Sequence, residues 1–196
     1  MPKARTCVFI SGRGSNLNSL LQAQQDSQCA YEIVLVISNN AEAAGLQIAQ
    51  NYGIQSAIFP NSWYKGNKQS QEKAMHLLLS EMNIELIALA GYMRILTPWF
   101  VDQWENRILN IHPSLLPLYP GLNTHKRALE AGDSKHGCTV HYVTSELDAG
   151  TILLQAKVSI YSDDTPDKLA DRVLMEEHKL YPQALNLVAL EWKART

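Results

Sequence analysis

The segment Thr6-Cys7-Val8-Phe9-Ile10-Ser11-Gly12-Arg13-Gly14-Ser15-Asn16-Leu17 decides the architecture. Thr6 to Ile10 is a short, β-prone apolar run halted by Ser11-Gly12, so it reads as a buried strand. Asn16 to Gln25 then carries Leu17, Leu20 and Leu21 at helical spacing. A buried strand passing through a glycine turn into a helix opens a βα unit, and the pattern recurs downstream. Tyr31 to Ile37 is a second strand, closed by Ser38-Asn39-Asn40. The helix from Ala41 to Asn51 ends at Gly53, which is free to take the left-handed C′ conformation. Ile54 to Phe59 is a third strand. Lys68 to Met82 is helical, with Leu78 and Met82 four apart and Leu79 beside them. Ile84 to Ala90 is almost wholly apolar, as expected of a strand covered on both faces.

Beyond it, Pro98 to Trp104 is a short helix leading to Arg107 to His112, an apolar run with polar residues at its end. Thr124 to Ala131 reads as a helix stopped by Gly132. Gly137 to Val143 and Thr151 to Ile160 read as strands flanking the loop Thr144 to Gly150. The last helix opens at Thr165-Pro166, a capping hydroxyl before a proline at the first helical position. It should run to about Leu190, bent at Pro182. Strands alternating with helices specify an α/β protein: a mostly parallel, twisted sheet with helices on both faces. In such sheets ligands bind beyond the carboxyl ends of the strands.

The bulk properties narrow the function classes. A chain of 196 residues suffices for one domain, or one with a small appendage, and can bury a real core. A formal net charge of -2, with no run of five basic residues, argues against nucleic acid as a partner. Cys7, Cys29 and Cys138 are odd in number and widely spaced, which suits a reducing compartment rather than a disulfide framework or a metal clip. The N-terminal apolar stretch is far short of the roughly 20 residues of a membrane span and lacks a leader's cleavage site. The expectation is a cytoplasmic protein with no membrane association.

Glycines in Ser11 to Leu17 let backbone approach a ligand, and the first turn of the helix offers free N–H groups and partial positive charge. Ser15 and Asn16 add side-chain donors, so a phosphate monoester fits. An ordinary tight turn would have the same composition. A dinucleotide fingerprint would need glycine where Leu17 stands and an acid after the second strand, and a triphosphate loop would need Gly-Lys-Ser/Thr; all are missing.

In Asn110-Ile111-His112-Pro113-Ser114-Leu115-Leu116-Pro117, alternation puts Asn110 and His112 on one face, and Pro113 ends the strand. An amide and an imidazole there must be well bonded or used. A carbonyl attacked by an amine gathers negative charge on oxygen, for which an imidazolium and an amide N–H₂ are suitable donors. Asp148, in Thr144-Ser145-Glu146-Leu147-Asp148-Ala149-Gly150, is the candidate acid to sustain the charged ring. A satisfied structural Asn/His pair stays open. No metal-ligand spacing or nucleophile elbow appears: His136 precedes the strand, His141 sits within it, His76 reads as helix surface, and His125 opens a helix, either as a cap neighbour or lining the site. In the last helix Leu169, Val173, Leu180, Ala184 and Leu187 mark a buried stripe, and Glu177 falls on it. That charge must face a cleft, where ribose hydroxyls would satisfy it, or pair with a lysine.

Asn110 to Pro117 followed by Tyr119-Pro120-Gly121 closely resembles the phosphoribosylglycinamide formyltransferases. The resemblance extends to Ser11–Asn16, to Ala90-Gly91-Tyr92-Met93-Arg94-Ile95-Leu96, to Gly137–Val143, to Glu146–Gly150 and to Glu177-His178, in order from about residue 6 to 190. It implies a Rossmann-like formyltransferase fold in a single domain, 1–196, with a nucleotide-binding half over about 1–100 and a folate-binding and catalytic half over about 101–196. It also implies that Asn110, His112 and Asp148 are catalytic, and that Gly14, Ser15, Asn16 and Glu177 hold glycinamide ribonucleotide. The pterin of 10-formyltetrahydrofolate, the co-substrate, would meet Met93, Arg94, Ile95 and Leu96, Asn110, and Thr144, Ser145, Glu146, Leu147 and Asp148. Lys68 would take the place where an arginine often meets the folate. Arg13 and Asn123 also depart from the family pattern. The implied partners are these two small molecules, with no metal, in a monomer or homodimer. Related formyl-folate hydrolases usually carry an extra N-terminal domain and methionyl-tRNA formyltransferases a further C-terminal one, neither of which is expected here; a non-catalytic phosphosugar-binding module with a structural Asn/His pair is the rival from another class.

Overall fold

The computed structural model describes residues 2–195, so the expected domain limits, Met1 and Thr196, lie outside the described residues. The elements are β1 (Ala4–Ile10), α1 (Ser15–Ala23), β2 (Tyr31–Ser38), α2 (Ala44–Asn51), β3 (Gln55–Ile58), a 3-10 turn (Asn61–Tyr64), α3 (Lys68–Glu81), β4 (Leu86–Leu89), α4 (Pro98–Gln103), β5 (Ile108–His112), α5 (Thr124–Glu130), β6 (Lys135–Tyr142), β7 (Ile152–Ser159) and α6 (Pro166–Arg195). The strands form one sheet ordered β3-β2-β1-β4-β5-β6-β7. It is parallel from β3 to β5, and β6 pairs antiparallel with both β5 and β7. The chain winds outward from β1 to β3 and restarts at β4 on the other side of β1, so the loops after β1 and β4 diverge over a crevice.

Alternation along the strands separates two cores. Val8, Ile10, Leu109, Ile111, Cys138 and Val140 pack with Leu17 and Leu20 of α1 and with Leu169, Val173, Tyr181 and Leu185 of α6. Cys7, Phe9, Leu35, Ile37, Ile87 and Ile108 pack with Met75 and Leu79 of α3 and Phe100 and Val101 of α4. Asn110, His112, Thr139 and His141 alternate with the first set and therefore lie on the α3–α4 face. The three cysteines are free and buried. No helix among the described residues is long and apolar enough to cross a membrane.

Several sequence expectations need correction. Leu187 is 50% exposed: the buried arc past Pro182 runs through Ala184, Leu185, Val188 and Ala189, and at 100° per residue Leu187 points away from its centre at Leu185. α6 continues past Leu190 to Arg195 with Pro182 inside it. In α3, Met75 and Leu79 are fully buried, whereas Leu78 and Met82 lie at the core margin. His136 is within β6, not before it. His76 is no plain surface residue: its Nδ1 accepts from Trp104 Nε1 at 3.2 Å, beside the rings of Trp99 and Trp104.

Candidate active site

The β1–α1 turn is held by backbone packing. Gly14, at φ 76, precedes α1, and no side chain caps the helix, which leaves first-turn N–H groups for a ligand. A Cβ on Gly14 would lie 2.6 Å from the Cα of Gly45, at the start of α2. Gly45 N–H in turn donates to Gly12 O at 3.0 Å. In the sequence Gly45 is marked only by the small-residue run Ala43-Ala44-Gly45. Next along α1, Asn16 Nδ2 donates to Glu177 Oε2 at 2.7 Å. Glu177 is 7% exposed. Burial pushes its carboxyl above the ordinary range, and the hydrogen bond from Asn16 opposes that. Asn16 Oδ1 is buried without a partner among the described residues. A desolvated carboxylate beside an orphaned amide oxygen is a pair of acceptors suited to ligand hydroxyls.

The segment after β4 is tied at both ends. Met93 N–H donates to Ser11 Oγ at 2.8 Å, and Ser11 Oγ donates to Asn39 Oδ1 at 2.6 Å. Thr97 donates to buried Glu72 through its N–H at 2.9 Å and also through its hydroxyl. Between these anchors Met93 and Ile95 are exposed, Arg94 is half-buried and Leu96 is buried. Thr144, Ser145, Glu146 and Leu147 are exposed. Lys68 opens α3, on the carboxyl-end side of β3, half-buried.

Asn110 and His112 project together from β5. β6 runs back along β5, pairing Tyr142 with Leu109 and Thr139 with His112. Segment 143–151 therefore leaves near the start of β5 and must fold back over the sheet face to deliver Asp148. Asp148 Oδ2 lies 3.5 Å from His112 Nδ1, an ion-pair spacing when the ring is protonated, and both side chains are buried. The same oxygen accepts the Gly121 N–H at 2.8 Å. Asp148 Oδ1 faces a second imidazole, with His141 Nε2 at 3.7 Å. His141 is also 3.2 Å, through Nε2, from Asn110 Nδ2. In the sequence His141 reads only as a mid-strand residue; its signal, the pairing with Asn110, exists only in the register.

Segment 113–123 and α5 form a strap over this cluster. His112 Nε2 donates to Tyr119 O at 2.9 Å. Tyr119 donates through its hydroxyl to Asp133 at 2.5 Å, and Arg127 donates to Pro120 O at 2.6 Å from a position over the Tyr119 ring. His125 packs edge-on against His136, ring centroids 5.1 Å apart. Burial, then the neighbouring His136 and His112, push the His125 imidazole down to about 4. His125 thus packs the start of α5 against β6.

A family model described as formyl transferase matches residues 4–185. The chain belongs to the formyl transferase family. Among relatives, phosphoribosylglycinamide formyltransferase of Haemophilus influenzae is 44% identical over 178 residues, covering 91% of this chain and 84% of that protein. The human trifunctional purine biosynthetic protein adenosine-3 is 46% identical over 187 residues; the chain spans 95% of itself but only 18% of that protein's length. The solved structure of phosphoribosylglycinamide formyltransferase from Brucella melitensis is 48% identical, with a TM-score of 0.92 over 95% of this chain and 96% of that one. The mostly parallel α/β sheet is thus the formyl transferase fold.

Proposed function

We propose that the protein transfers the formyl group of 10-formyltetrahydrofolate to the amine of 5-phosphoribosylglycinamide, a step of purine synthesis in the cytoplasm, as a monomer or homodimer. The observation that carries this reading is the convergence of Asn110, His112 and Asp148, beside an uncapped helix start and the Asn16–Glu177 pair. Gly14, Ser15 and Asn16 hold the phosphate through first-turn N–H groups and the Asn16 side chain. Glu177 takes ribose hydroxyls, which relieves the cost of its buried charge. The folate carries the transferable one-carbon unit. Exposed Met93, Ile95 and Leu147 suit a flat ring needing apolar contact, while backbone of 93–96 and 144–148, with the Asn110 amide, supplies hydrogen bonds. Lys68 meets the carboxylate end of that ligand.

Asn110 Nδ2 and His112 donate to the formyl oxygen as charge gathers there during attack by the amine. For His112 this means exchanging Tyr119 O for substrate at Nε2, with Asp148 supporting the ring from Nδ1. Asp148 takes the amine proton, through water, toward the departing nitrogen. The test is release of tetrahydrofolate from 10-formyltetrahydrofolate with and without glycinamide ribonucleotide. Ribonucleotide-dependent release is expected. Equal release into water would mark a hydrolase, and none would leave a binding module.

A further inference from the structure

The buried imidazole of His141 has a defined wiring. His141 lies directly across the β5–β6 ladder from Asn110, so the two side chains share a face at close range. It is 2% exposed. Its Nδ1 lies 2.8 Å from Tyr142 O. A carbonyl only accepts, so Nδ1 carries the hydrogen. Gly150 permits this: a Cβ there would sit 1.8 Å from Tyr142 O, and a side chain would displace that carbonyl. With Nδ1 protonated, a neutral ring presents a bare lone pair at Nε2, and burial favours the neutral ring.

That lone pair has a consequence for Asn110. An amide flipped to put Oδ1 against Nε2 would oppose two acceptors, whereas Nδ2 at 3.2 Å makes a hydrogen bond. One N–H of Asn110 is used on His141, leaving the second to donate elsewhere. Asp148 Oδ1, at 3.7 Å from Nε2, finds no hydrogen there, while Oδ2 of the same carboxylate faces His112. We infer that His141 is a positioning residue for formyl transfer: as the Nδ1–H tautomer, it locks the Asn110 amide so that its nitrogen, not its oxygen, serves the substrate carbonyl. This rests on the proposed transfer reaction, but its first test does not.

The protein labelled with ¹⁵N-histidine, at neutral pH and without ligands, should show His141 Nδ1 with a pyrrole-type shift and Nε2 with a pyridine-type shift, assigned by the signals lost in His141→Gln. A reversed pattern, or two pyrrole-type nitrogens, overturns the inference whether or not the enzyme turns over. In the transfer assay His141→Leu should lower kcat about a hundredfold, with KM for both substrates within about threefold. His141→Gln, which can still present an acceptor oxygen, should recover to within about tenfold of wild type. In an Asn110→Ala background His141→Leu should cost less than about threefold, because the group it orients is gone. Additive losses in that cycle, or no recovery by glutamine, would mean a merely structural histidine. Wild-type enzyme without transfer activity, but with the expected tautomer, would overturn the proposed reaction and not the wiring.

Discussion

The Ser11–Asn16 turn and the 143–151 loop bring polar groups to the same crevice by opposite means. The turn works through main chain: a left-handed Gly14 pressed onto Gly45, an uncapped helix, and N–H groups whose direction follows from local backbone. The loop works through one side chain carried a long way, with Asp148 reaching His112 only after β6 has run back along β5. Main-chain sites tolerate changes of side chain but not of Cβ count, whereas side-chain sites have the reverse sensitivity.

The sharpest way to break this contrast is at the acid. Asp148→Asn keeps shape and removes charge and proton acceptance, so kcat should fall about a thousandfold while both KM values stay within about threefold. Steady-state kinetics showing near-normal turnover would end its chemical role. Gly14→Ala should do the opposite. A methyl at 2.6 Å from Gly45 and a positive φ together cost about 1–3 kcal/mol of stability. KM for the ribonucleotide should rise tenfold or more, with a smaller change in kcat; an unchanged melting temperature and KM would show that the turn is not set by backbone contact.

The strap supplies a pH arm. His125 binds its proton less readily folded, near 4, than unfolded, near the ordinary 6.5. The unfolded chain therefore takes up more protons in that interval. The stability from a neutral His125 is complete above about pH 6.5 and is lost as pH falls toward 4, worth on the order of 2 kcal/mol after allowing for partial exposure. Denaturant titrations of wild type and His125→Gln should show a shallower acid loss in the variant; parallel curves would remove His125 from the account. The smallest effect concerns Glu177. Its buried charge disfavours the ligand-free fold, so Glu177→Gln should raise the melting temperature by about 2–4 °C while raising the ribonucleotide KM several-fold. A variant both less stable and unimpaired in binding would contradict both halves.

Legibility in the sequence followed the range of each feature. The βα repeats, the shared face of Asn110 and His112, and the exceptional placement of Glu177 on an apolar stripe are local, and periodicity exposes them. His141 was invisible as a neighbour of Asn110, because pairing register between β5 and β6 is not written in either strand alone. Gly45 looked like one small residue among several, since the contact that requires it comes from a different βα unit. Leu187 was misplaced because counting forward from Ala184 follows one edge of a stripe whose centre lies at Tyr181 and Leu185.

Tyr181 has a wider bearing. Its hydroxyl lies 2.9 Å from Leu89 O and 3.1 Å from Leu109 O, where β4 and β5 meet beside Asn110. Glu177 stands one helical turn earlier, about 6 Å along the axis. The acid on α6 and the amide on β5 are thus surveyed from a common benchmark, a phenol nailed across two neighbouring strands. Any slippage of α6 would register at once as a misfit between the two ends of whatever bridges them.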